Sequence, residues 1–100
     1  MKGKVIMKMS RVERCDITDC AYNMDNTCHT IAITIGDTAH PRCDTFCQST
    51  MKGGDMSCFA NVGACKVSAC SFNSGLECQA SEISVGYKEQ EPDCLTFQQK

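Results

Sequence analysis

The sequence has no tryptophan, and only two tyrosines, four phenylalanines and two prolines. Large side chains for a core are therefore scarce. The hydrophobic content of 42% counts ten cysteines and six methionines, which build a core less well than leucine or isoleucine. Apolar runs extend only a few residues, too short to cross a bilayer. Charge of one sign is also lacking: ten basic residues stand against twelve acidic ones, interspersed along the chain. With a net charge of -2 and a pI near 5.6, nucleic acid is excluded as the main partner, because phosphate binding needs a concentrated basic surface. The one basic stretch, Lys2, Lys4, Lys8, Arg11 and Arg14, reads as a solvated tail. The first residues, MKGKVIMKMSRVERC, lack the apolar core of a signal peptide, since Val5-Ile6-Met7 is cut short by Lys8. With Met1 as the start, a cytoplasmic location is expected. There thiols stay reduced, and cysteines more often bind metal than pair.

What the sequence does have is ten cysteines and a repeat. Residues 12–46 and 62–97 align at an offset of 50 up to Gly36/Gly86, and of 51 thereafter, through Phe46/Phe97. The identical pairs include Cys15/Cys65, Cys20/Cys70, Asn23/Asn73, Cys28/Cys78, Ile33/Ile83, Pro41/Pro92, Cys43/Cys94 and Thr45/Thr96. The chain then divides into an N-terminal tail (1–11), a first four-cysteine module (12–46), a flexible linker (47–61) and a second four-cysteine module (62–97). Units this short fall below the ~40 residues at which a core alone usually suffices. Cysteine chemistry must add stability.

Each module reads as a small β unit. Val-x-x-Cys suggests an extended entry strand. Asn23-Met24-Asp25-Asn26 and Asn73-Ser74-Gly75 are turn residues that tolerate positive φ. The alternation Ile31-Ala32-Ile33-Thr34-Ile35, like Ile83-Ser84-Val85, predicts a half-buried strand ending at Gly36 or Gly86. A loop with Pro41 or Pro92 then delivers the fourth cysteine, and Tyr22, Phe46, Phe72 and Phe97 cap the small cores. The expected fold is small, cysteine-rich and mainly β with irregular loops: two tandem hairpin modules stabilised by metal or by disulfides.

The cysteines are spaced C-x4-C-x7-C-x14-C in the first module and C-x4-C-x7-C-x15-C in the second. Four thiolates make a closed tetrahedral zinc site. The candidate ligands are Cys15, Cys20, Cys28 and Cys43, and Cys65, Cys70, Cys78 and Cys94. No C-x-x-C pair occurs, so the spacing does not name the metal; zinc is preferred, with iron and copper left open. The rival reading is that the four cysteines of each module form two disulfides. Reactive thiols come third, because the only histidines, His29 and His40, have no counterpart in the second module. Cys47 and Cys58, in the linker beside Gly53-Gly54, lie outside the repeat and are candidates for an extra metal or a redox response.

The motif Cys-x-[Ile/Val]-x-x-Cys-x-[Tyr/Phe]-Asn-x4-Cys, with its Ile strand and a late Cys-x-Thr-Phe, resembles the bacterial domain of unknown function DUF1540, in two tandem copies. The match rests on Cys15, Cys20, Tyr22, Asn23, Cys28, Ile33, Cys43 and Phe46, and on their counterparts through Phe97. The resemblance implies a cytoplasmic, metal-binding bacterial protein and supplies no activity. The expected function is non-enzymatic metal binding, by zinc at two four-cysteine sites, with loops open to a protein partner. The alternatives are soft-metal storage or buffering, and a disulfide-rich structural protein of a spore or surface layer. No acid–base constellation appears twice, so no enzyme is expected.

Overall fold

β-branched residues on alternate positions become the strands of a shared sheet. The computed structural model describes residues 9–36 and 40–100; Lys2, Lys4 and Lys8 of the basic tail lie outside them. The first repeat supplies β1 (Arg11–Cys15), β2 (Asn23–Met24), β3 (Thr27–Cys28) and β4 (Ala32–Ile35). The second supplies β5 (Asn61–Cys65), β6 (Asn73–Ser74), β7 (Glu77–Cys78), β8 (Glu82–Lys88) and β9 (Glu91–Cys94). The fold is mainly β with irregular loops, and the described residues contain no helix.

The five-stranded sheet runs β4-β5-β1-β8-β9. Its order shows that the repeats exchange partners. The entry strand β1 of the first repeat lies parallel to β8 of the second, and β5 of the second lies parallel to β4 of the first. The two entry strands meet antiparallel at Arg11 and Asn61. There Val12 N–H donates to the Ala60 carbonyl at 3.0 Å and Val62 N–H to the Ser10 carbonyl at 2.8 Å. These reciprocal bonds mark an approximate twofold axis between the repeats.

The two edges of the sheet are joined by residues 41–43. Cys43 bridges to Ile35 on β4, and Arg42 bridges to Asp93 on β9. Cys43 N–H donates to the Pro92 carbonyl at 2.7 Å, and Cys94 N–H to the Pro41 carbonyl at 2.6 Å. Hydrogen bonding thus returns to β4 in a ring, which leaves little exposed edge for another chain to extend.

Alternation places the same positions inside in both repeats. Val12, Ile17, Ile33 and Ile35, with Val62, Val67, Ile83 and Val85, are buried in one cluster with the cysteines. Each full burial of such a side chain stabilises by about 1.5–3 kcal/mol. Tyr22, Phe46, Phe72 and Phe97 pack against this cluster as partly buried caps, as the repeat pattern predicts.

Two turns need positive φ. Asp25 and Asn26 (55° and 59°) join β2 to β3, and Gly75 and Leu76 (59° and 67°) join β6 to β7. Both central residues being left-handed is the geometry of a two-residue type I′ hairpin. The predicted loop before Cys94 is instead a third such hairpin. Glu89 and Gln90 take positive φ (52° and 67°), and Pro92 sits within β9. Proline is accommodated there because the strand is at the sheet margin. The joining segment, read as a flexible linker, is laid along the first repeat. Gly53 N–H donates to the Ala21 carbonyl, Asp55 N–H to His29, and Lys52 Nζ to the carbonyls of Thr18 and Cys20.

Candidate metal centres

β1 ends on the first cysteine of the first repeat, Cys15, and the turn after it carries the second, Cys20. Cys20 N–H donates to the Ile17 carbonyl at 3.0 Å, closing one tight turn, and Cys70 repeats the bond to Val67 at the same distance. Asn23 then anchors this turn: its Nδ2 donates to the Cys15 carbonyl at 2.7 Å, and Asn73 does so to Cys65 at 2.8 Å. The identity of this asparagine in both repeats therefore has a cause, since an aspartate would lose the donor. The third cysteine closes the type I′ hairpin. The fourth is fixed by the threonine two residues later: Thr34 N–H donates to Thr45 Oγ1 at 3.1 Å and Ser84 N–H to Thr96 Oγ1 at 3.0 Å.

These local devices bring together the cysteines of each repeat. Cys15, Cys20, Cys28 and Cys43 line one small void of about 10 Å³. Cys65, Cys70, Cys78 and Cys94 line a second, of about 20 Å³. Volumes of this size hold about one water-sized sphere. Tyr22 and Phe46 border the first void, and Phe72 and Phe97 the second. Val12, Ile17, Ile33 and Thr45 complete the first void from its own repeat, and Val62, Val67, Ile83 and Thr96 the second, while the opposite repeat adds Val85 and Pro92 to the first and Ile35 and Pro41 to the second. The sequence marked these residues as paired identities or near-identities but did not indicate which void each would face.

All ten cysteines are free thiols. Burial pushes the Cys28 thiol up to about 11, Cys43 up to about 12 and Cys94 up to about 11, and it raises Cys15 as well. Such thiols are neutral at pH 7 and poor nucleophiles. Opposing this, backbone N–H groups two residues on donate to the sulfurs: Ile17 to Cys15, Thr30 to Cys28, Thr45 to Cys43 and Thr96 to Cys94. Donors aimed at sulfur favour its anionic form. The thiols ring each void rather than converge on a point. Among the described residues, no three His, Cys, Asp or Glu side chains are disposed as a ligand set. Donor type, number and void size fit a single soft cation at each centre.

The remaining candidates stand apart from both voids. Cys47 is exposed; its carbonyl accepts from Ala21 N–H at 2.7 Å. Gln98 occupies the matching place, accepting from Ser71 at 2.6 Å, so Cys47 belongs to the end of the first repeat. Cys58 is half-buried, and its carbonyl accepts from His29 Nδ1 at 2.9 Å, which fixes the proton of a neutral His29 on that nitrogen. The His29 ring also packs on Phe59. His40 is exposed, with Nδ1 3.9 Å from Glu91 Oε1.

A family model described as Domain of Unknown Function (DUF1540) matches residues 14–49 and again 64–97. These two regions span most of the chain, one over each cysteine cluster, and the chain belongs to that family. No curated protein and no solved structure matches it.

Proposed function

We propose that this tandem DUF1540 chain is a non-enzymatic metal-binding protein of a reducing compartment, in which two zinc ions complete the fold. Cys15, Cys20, Cys28 and Cys43 would hold one ion, and Cys65, Cys70, Cys78 and Cys94 the other. The observation that carries this reading is the placement of four thiols around one ion-sized void, twice, with backbone N–H groups directed at the sulfurs. Bound zinc supplies positive charge that offsets the desolvation of thiolates. It also supplies folding free energy, on the order of 10 kcal/mol per site in zinc-finger peptides. At Cys15, Cys28, Cys43 and Cys94, burial that disfavours the thiolate speaks against a nucleophilic role.

Soft-metal storage would use the same cysteines, with Cys47 and Cys58 as additional donors. The small voids favour the structural reading, because each has room for about one water-sized sphere and is bordered by an aromatic pair. The test is chelation of protein purified anaerobically under reducing conditions. Loss of zinc should unfold the chain, with the circular dichroism and metal-release curves coinciding. Removal of all metal with the fold unchanged would contradict a structural role.

A further inference from the structure

The strand exchange has a consequence for the two centres. Cys15, a ligand of the first, is the cross-strand partner of Val85 on β8. Val85 is in turn the cross-strand partner of Cys94, a ligand of the second centre. The same row exists in mirror form. Cys65 pairs with Ile35 on β4, and Ile35 bridges to Cys43. Each row therefore carries ligands of both centres, two strand spacings of about 4.8 Å apart. The fourth cysteines add a second link: Cys43 N–H is held by Pro92 and Cys94 N–H by Pro41. Two of the four cysteines at each centre are thus hydrogen-bonded, or paired in register, to the opposite repeat, and that repeat also walls their void.

We propose that the two centres load as one coupled pair, each closed by the other repeat. This rests on the metal-binding reading above. Fixing Cys15 and Cys43 around an ion orders Val85 and Pro92, and with them the strand that presents Cys94. The second ion then meets ligands already positioned. Coupling of this kind is reciprocal, and typical magnitudes correspond to a 5- to 150-fold change in affinity, on the order of 1–3 kcal/mol. Val85, Pro92, Ile35 and Pro41 act as positioning residues for the centre in the opposite repeat.

The experiment uses the full, zinc-loaded chain. Zinc is withdrawn by stepwise addition of a chelator, and newly accessible cysteines are alkylated and located by mass spectrometry. Native mass spectrometry counts the ions at each step. In the wild type, the one-zinc species should stay below the share expected for independent, equal sites. Val85→Ala leaves all the cysteines in place. It should expose Cys15, Cys20, Cys28 and Cys43 first, at a chelator concentration lower by at least fivefold. Ile35→Ala should instead expose Cys65, Cys70, Cys78 and Cys94 first. Each variant exposing the cysteines of its own repeat first, or a statistical share of one-zinc species, would overturn the coupling while leaving metal binding intact. Alkylation that is complete before chelator is added, with no zinc bound, would overturn both.

Discussion

Replacing Ser10 with alanine should stabilise the protein, although it removes a polar group and adds no contact. Ser10 is 1% exposed, and its Oγ has no hydrogen-bond partner among the described residues. It lies at the meeting of the two entry strands, where its carbonyl accepts from Val62. The position related by the approximate twofold axis is Ala60, 0% exposed, whose carbonyl accepts from Val12. The molecule therefore contains both versions of the same site. A buried hydroxyl without a partner costs about 1–3 kcal/mol, and alanine regains part of that while leaving a void smaller than a methyl group. The expected gain is about 1 kcal/mol, or roughly 4–8 °C in Tm for a domain of this size. The converse, Ala60→Ser, should destabilise by a similar amount. Thermal unfolding of both variants, with free zinc buffered at one level, measures the pair. A Ser10→Ala variant no more stable than the wild type would mean that the hydroxyl has a partner after all.

Two further changes probe other parts of the chain. Gly54 has φ +86°, and a Cβ there would stand 2.6 Å from the His29 carbonyl oxygen. Gly54→Ala should cost about 2 kcal/mol or more, whereas Gly53→Ala, whose nearest neighbour would be Tyr22 at 3.8 Å, should stay within about 0.5 kcal/mol in urea unfolding. Asp93 is buried with an unpartnered Oδ1, and desolvation, then its hydrogen bond with Glu91, raises its pKa from 3.8 to about 6. Because the folded state holds this proton more tightly than the unfolded chain, stability is lost as pH rises from about 4 through about 6. The advantage of Asp93→Asn over the wild type should therefore be absent near pH 4 and full above pH 7. A difference that does not change with pH in paired unfolding curves would contradict this.

Much of the local structure was legible in the sequence. The alternation Ile31–Ile35 gives β4 over Ala32–Ile35, with Ile33 and Ile35 inward but Ile31 exposed before the strand, and the asparagine-rich turn gives the first type I′ hairpin. The grouping of cysteines by repeat was legible too, since two copies of one pattern report the same four positions. The partner of each strand was not. Both repeats carry the same entry strand and the same isoleucine strand, so pairing within a repeat and pairing between repeats satisfy the same local pattern. Only the tertiary arrangement selects β1 with β8 and β4 with β5. The hairpin from β8 to β9 was hidden for a different reason: Glu89 and Gln90 adopt left-handed φ without the usual glycine or asparagine signal. Pro92 also argued for a loop. The pairing of Arg42 with Asp93 depends on the approximate twofold axis, which brings nonidentical residues of the repeat together. Such a contact leaves no trace in the aligned copies.

The most direct test of the account is the metal content of the folded chain, measured together with its thiols. Protein purified anaerobically under reducing conditions would be subjected to native mass spectrometry with elemental analysis, then to alkylation without unfolding. Two zinc ions per chain are expected, with the exposed Cys47 modified and Cys15, Cys20, Cys28, Cys43, Cys65, Cys70, Cys78 and Cys94 protected until chelator is added. A folded, metal-free chain whose mass shows these cysteines joined as disulfides would contradict it.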